Sequence, residues 1–122
     1  MKILAIRLKN LTSIEGTVEV DFMAEPLHSA GISAISGPTG AGKSTLLDAL
    51  CLALYDKAPR FATSVENVNL ADVGDNQINQ SDVRNLLRRG TSDGYAEVDF
   101  LGIDGRRYRS RWSVRRTRNK IN

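Results

Sequence analysis

Three glycines in six residues, followed at once by a lysine and two hydroxyls, constrain this chain more than any other feature: Gly37-Pro38-Thr39-Gly40-Ala41-Gly42-Lys43-Ser44-Thr45. Ahead of them, Gly31 to Ser36 (GISAIS) is a short run without polar alternation, which predicts a strand covered on both faces. Behind them, Leu46, Leu47, Leu50, Cys51 and Leu54 recur at helical spacing, which predicts a helix from about Lys43 to about Tyr55. Strand, glycine loop and helix in that order point to an α/β fold.

Gly37 to Ser44 match G-x-x-x-x-G-K-[ST], and each position has a physical reason. Gly37, Gly40 and Gly42 let the backbone turn tightly and approach an anion closely. The N–H groups of such a loop form an anion nest, and the partial positive charge of the helix N-terminus adds to it. Lys43 has the reach for β- and γ-phosphates, the Ser44 hydroxyl suits Mg²⁺, and Thr45 sits in the same helical turn with a donor for the α-phosphate. The expected ligand is a nucleoside triphosphate, ATP, with Mg²⁺. Hydrolysis further requires a group that positions the nucleophile and an acid on the metal. The apolar strand ending in Asp-Glu that usually carries that acid is absent from the sequence. Asp48 and Asp56 are read as the exposed face of the helix.

The chain opens on a strand, Lys2 to Asn10, with Leu4, Ile6 and Leu8 on one face and Arg7 and Lys9 on the other. A second strand, Thr17 to Phe22, alternates Val18, Val20 and Phe22 with Glu19 and Asp21, and the short link predicts an antiparallel pair. Glu25 to Ala30 reads as a loop containing Pro26, and residues 57–82 as one long polar loop. Ser81 or Asp82 is placed to cap a short helix through Arg89, closed by Gly90. Tyr95 to Ile103 and Arg106 to Val114 form a hairpin around Asp104-Gly105. A three-residue loop with Gly105 left-handed sets Phe100 against Tyr108, Ala96 against Trp112, Glu97 against Arg111 and Asp99 against Arg109, with the apolar residues on one side.

Residues 105–122 hold eight Lys or Arg and no acid, against nine bases and 14 acids in the rest. A basic end on an acidic body suits an anionic partner, nucleic acid first. Arg109 and Arg111 have candidate acids across the strand. Arg106, Arg115, Arg116, Arg118 and Lys120 have none in view, and the last four are the candidates for DNA contact. Pairing within the sheet and phosphate binding both stay open for the cluster. Trp112 alternates with Tyr108 and is read as core. Cys51, the one cysteine, excludes an internal disulfide. With 122 residues, 41% hydrophobic and 25% charged, and no apolar run near the roughly 18 residues of a membrane span, one soluble domain (residues 1–122) in the cytoplasm is expected, without a membrane partner.

The run GPTGAGKSTLLDALCLALYD, preceded by MKILAIRLKNLTSIEG and followed by Ala58-Pro59-Arg60, resembles the N-termini of the SbcC family, which belongs with the SMC-like and double-strand-break repair ATPases. The resemblance implies the N-terminal lobe of an ABC-type P-loop head: a mixed sheet, a P-loop helix and a C-terminal β-hairpin. It implies a head built from the two ends of a long polypeptide, with a C-terminal lobe that supplies the signature motif and the acidic residues. It further implies two heads closing on two ATP molecules, a nuclease subunit (SbcD-like) as partner, and DNA ends as substrate. It adds Asn10, Thr12 and Ser13, in the strand turn that reaches the nucleotide in relatives, to the site; an arginine often stands where this chain has Thr12. The chain shows no signature motif, heptad repeat or Cys-x-x-Cys, and Gln77 and Gln80 are poor matches to the family's glutamine loop. The expectation is half of an ATPase, competent to bind ATP and inactive alone. The alternatives from the motif alone are a small P-loop kinase or GTPase, or a DNA-binding module with an inactive loop.

Overall fold

The computed structural model describes residues 1–38, 40–61, 69–71, 77–79, 82–117 and 120–121, of which 69–71, 77–79 and 120–121 are described by backbone alone. Strands β1 (Lys2–Leu11), β2 (Ile14–Asp21), β5 (Asp93–Leu101), β6 (Arg107–Thr117) and β7 (Lys120–Ile121) form one sheet in the order β2-β1-β5-β6-β7. A two-residue turn joins β1 to β2, and Ile6 sits between Val20 on one side and Val98 on the other. Every pairing is antiparallel, so the mixed sheet expected from the sequence is not what the described residues form.

The reason lies in Gly31 to Ser36. This segment is not a strand, and Ile32 and Ile35 are 93% and 57% exposed. A strand exists through its ladder partners, and no described segment pairs with this one. The chain before it carries a short helix, α1 (Leu27–Ala30), where a loop was expected.

Helix α2 (Lys43–Tyr55) has the predicted bounds. Gly42 starts it in a left-handed conformation (φ 101°), and Asp56 ends it the same way (φ 56°), its N–H donating to the Leu52 carbonyl. The buried residues Ala49, Leu52 and Ala53 pack on Ile6, Leu8, Ala96 and Val98 from one face of the sheet, with Trp112 half-buried at the margin. Trp112 is thus part of the packed face, as its alternation predicts. Ser110 ties β6 to the helix by donating its hydroxyl to the Ala53 carbonyl.

The hairpin has the predicted register: Phe100 faces Tyr108, Ala96 faces Trp112, Glu97 faces Arg111 and Asp99 faces Arg109. Gly102 N–H donates to the Arg106 carbonyl at 2.9 Å and Gly105 is left-handed (φ 75°), which is the three-residue loop. Phe100 and Tyr108 stack with centroids 5.6 Å apart.

The polar stretch 57–82 is less uniform than a long loop. It holds a 3₁₀ turn at Pro59–Phe61 and a small hairpin of β3 (Asn69–Ala71) and β4 (Gln77–Asn79). Gln77 is in β4; Gln80 lies outside the described residues. The helix expected through Arg89 is a 3₁₀ turn, Val83–Leu86, capped by the Asp82 side chain, which accepts from the Arg84 N–H. It stops early because β1 captures the next residues: Leu87 bridges to Leu11, and the Arg88 N–H donates to the Asn10 carbonyl at 2.8 Å.

On the sheet face opposite α2, charge replaces apolar packing. Arg7 bonds Glu19 (2.9 Å), Glu97 (3.1 Å) and Asp99 (2.9 Å). Arg109 bonds Asp99 at 2.6 Å, while Arg111 bonds Glu97 at 3.2 Å and lies 4.0 Å from the Tyr95 ring centre. Glu97 and Asp99 are buried beneath these arginines. No helix among the described residues is long and apolar enough to cross a membrane.

Candidate functional site

The N-terminus of α2 opens onto a cavity of about 440 Å³ lined by Thr12, Ser13, Gly40, Gly42, Lys43, Ser44, Thr45 and Arg60. The first bond of the helical ladder is Leu46 N–H to the Gly42 carbonyl (3.3 Å), and Gly42 brings no side-chain cap. The N–H groups of Lys43, Ser44 and Thr45 therefore precede the ladder and have no intrahelical acceptor. Left-handed Gly40 (φ 85°) and Gly42 (φ 101°) turn the loop into the helix. The left-handed backbone at Gly42 favours glycine there; a Cβ would also meet Ile14 Cδ1 at 2.9 Å, a side-chain end that would have to turn aside. The Lys43 ammonium folds back and donates to the Gly37 carbonyl, which holds it over the loop. Pro38 and Ala41 complete the turn, the Ala41 N–H donating to the Pro38 carbonyl at 3.1 Å. Thr39 lies outside the described residues.

The β1–β2 turn forms the opposite wall. Its Thr12 is left-handed (φ 48°) and its backbone is tied down on both sides. The Thr12 N–H donates to the Leu86 carbonyl at 2.8 Å and the Thr12 carbonyl accepts from Arg88 Nη1 at 3.2 Å. Its hydroxyl meets the buried Thr45 hydroxyl at 2.5 Å. Thr12 and Ser13 thus reach the cavity that Lys43 and Ser44 line. Asn10 does not. Its amide nitrogen donates to the Asp93 carbonyl (3.0 Å) and its oxygen accepts from the Gly16 N–H (2.8 Å). The structure makes Asn10 the brace of the turn rather than part of the cavity wall.

Two residues escaped the sequence reading. Asp48, placed there on an exposed helix face, is 2% exposed and pairs with Arg60, whose Nη2 lies 2.5 Å from its Oδ2. Arg60 comes from the 3₁₀ turn after α2 and lines the cavity. The signal was weak: Asp48 falls four residues after Ser44, on the flank of the apolar stripe, and its partner sits in a stretch without periodicity. A second concavity of about 350 Å³ shares Thr12 and Arg60 and continues along Phe61, Asn85, Leu86, Leu87, Arg88 and Arg89.

The basic candidates fall in the last two strands, β6 and β7, or between them. Arg115 pairs with Asp93 in the β5–β6 ladder and is exposed, and Arg116 is half-buried beside it. Lys120 is in β7, opposite Thr117, by its backbone; Arg118 lies outside the described residues. Neither Arg115 nor Arg116 is among the described residues that line the cavity.

The family described as "AAA domain" matches residues 5–122. The chain is 62% identical over 120 residues to the SbcC component of the nuclease SbcCD of Pseudomonas aeruginosa, covering 98% of this chain and 10% of that protein. It is 46% identical over 121 residues to the protein of the same name from Rhodobacter capsulatus, covering 99% and 10%. To the DNA double-strand break repair Rad50 ATPase of Methanopyrus kandleri it is 31% identical over 106 residues, covering 87% and 9%. The chain therefore spans about a tenth of the length of the curated relatives it matches.

Proposed function

Since this chain belongs to the AAA domain family and is SbcC-like along nearly its whole length, we propose that it is the ATP-binding N-terminal lobe of an ABC-type head that serves DNA double-strand-break processing. One observation carries the reading: Gly40, Gly42, Lys43, Ser44, Thr45, Thr12 and Ser13 converge on a single cavity at a helix N-terminus. The donor set fits the ligand. Backbone N–H groups ahead of the helical ladder and one ammonium suit phosphate oxygens, and the exposed Ser44 hydroxyl is a hard oxygen ligand of the kind Mg²⁺ takes, the other places on the ion falling to phosphate and water. The adjoining concavity, walled by Phe61 and Leu86 as well as by arginines, suits the nucleoside.

The relatives are named as nuclease components and repair ATPases, which favours this reading over a small kinase or GTPase. By the same likeness the partners are the C-terminal lobe of the head, a nuclease subunit, a second head and DNA, in the cytoplasm. The exposed apolar segment Gly31 to Ser36, with Ile32 and Ile35 open to solvent, is where the other lobe would complete the sheet. Calorimetric titration with MgATP tests the core of the proposal. The wild-type chain should bind, and Lys43→Ala should bind at least tenfold more weakly, the loss expected when one charge-assisted contact goes, with an unchanged circular dichroism spectrum. Equal binding by both would remove Lys43, and with it the phosphate assignment.

A further inference from the structure

Arg60 stands at the join of the two concavities, since it and Thr12 line both. Its setting is built. Pro59 and Phe61 flank it in a 3₁₀ turn, Phe61 packs against the core, and Asp48 fixes the guanidinium. Nε and Nη2 both meet Asp48 Oδ2, at 2.6 and 2.5 Å. The Asp48 side chain is 3% exposed, and that of Arg60 is 36% exposed. Two N–H directions of the fork are thus anchored on a buried carboxylate, while the rest of the fork has no partner among the described residues. A guanidinium carries five donors in a fixed plane, so anchoring one edge orients the other.

We infer that Arg60 is a further phosphate-binding residue of this site and that Asp48 is its positioning residue. This rests on the ATP reading above. The charge argument is direct. Among the described cavity-lining residues, Lys43 and Arg60 are the two that carry charge, and a guanidinium is the better group for a planar, two-pronged grip on phosphate oxygens. Position narrows the assignment. With the phosphates at the glycine loop and the nucleoside in the adjoining concavity, a residue lining both meets the phosphate chain at its nucleoside end. Arg60 therefore contacts phosphates that ATP and ADP share.

The experiment measures MgATP and MgADP affinity of the 122-residue chain and its variants by calorimetry, with circular dichroism and urea midpoints as folding controls. Arg60→Gln alone strands a buried carboxylate, so the decisive variant is Asp48→Asn/Arg60→Gln, which removes both charges together. Loss of one charge-assisted contact predicts on the order of a tenfold weaker Kd for both nucleotides in that double variant, with partial recovery in Arg60→Lys. Asp48→Asn alone should weaken binding, and should do nothing further once Arg60 is Gln, because it acts through that side chain. Wild-type affinity in a folded double variant would reduce Arg60 to a counter-ion for Asp48 and overturn the inference, leaving the ATP reading intact. A loss confined to MgATP would overturn the placement at the nucleoside end. A folded wild type that binds neither nucleotide would overturn the ATP reading and this inference together.

Discussion

Asp99 is gripped by three arginines at once: Arg109 at 2.6 Å, Arg7 at 2.9 Å and Arg107 at 3.7 Å. The hydrogen bonds from Arg109 and then Arg7 outweigh burial and hold its carboxyl at about 2, below the ordinary 3.8. A carboxyl depressed on folding contributes stability that is full above its unfolded value and is lost as pH falls through the folded one. Urea midpoints should therefore be flat near neutrality and fall between about pH 4 and about pH 2. Asp99→Asn should lower stability by about 2 kcal/mol at pH 7, the scale for losing a carboxyl so depressed to arginines that are partly exposed, and should flatten the acid slope. Some slope will persist, because Arg84 and Lys9 likewise hold Asp82 and Asp93 below the usual carboxylate range. An unchanged acid limb in the variant would show that Asp99 is not the group responsible. The Asp99–Arg109 contact was legible from hairpin register alone. The part played by Arg7 was not, since it depends on β1 pairing with β5, which lies far along the chain.

At the scale of elements, glycines mark where strands and turns resist a side chain, for two different reasons. Gly105 is left-handed (φ 75°), and a Cβ there would meet nothing within 4 Å, so Gly105→Ala meets only backbone strain, about 1 kcal/mol. Gly94 is held by packing: its Cβ would stand 2.6 Å from the Lys9 carbonyl oxygen and 3.1 Å from that of Asn10. Those are backbone atoms of the strand partner and cannot swing aside, so Gly94→Ala should cost about 3 kcal/mol, the upper end for overpacking. Thermal or urea unfolding of the two variants checks the order, and a larger loss at Gly105 would reverse the argument. The first glycine was predictable from turn chemistry. The second was invisible without knowing that β1 and β5 are neighbours.

For the whole molecule, binding and cleavage of the proposed nucleotide make separate demands on the cavity. Asp48, the acid nearest the loop in sequence, is committed to Arg60. Among the described residues that line the cavity, none is an acid that could hold the metal or position the nucleophile of phosphoryl transfer. Phosphate release by the 122-residue chain should be negligible; turnover near an ordinary enzyme median of about 10 per second would mean that the site is complete. Charge is likewise divided across the sheet. Arg109 and Arg111 are tied to Asp99 and Glu97, so DNA contact, if this chain makes any, should run less through them than through the sequence candidates Arg115, Arg116, Arg118 and Lys120. Four phosphate contacts give a log–log salt slope of roughly −3.6 on duplex DNA. Replacing those four by Gln should lower affinity and slope more than Arg109→Gln with Arg111→Gln. The opposite ranking would move the contact surface onto the ion-pair face.

Local chemistry was enough to specify the glycine loop, the limits of α2 and the register of the β5–β6 hairpin. Each depends on neighbours in sequence: positive-φ glycines, helical spacing of leucines, and a turn whose length sets which residues face. Tertiary structure alone decided the rest. It placed β1 between β2 and β5, bound the 86–88 segment to the β1–β2 turn, tied Asn10 to Asp93 and Gly16 as a brace and brought Asp48 and Arg60 together beside the cavity. It also left Gly31 to Ser36 outside the sheet. A run of apolar residues states a preference for burial, but whether it becomes a strand depends on backbone donors and acceptors that another segment must supply.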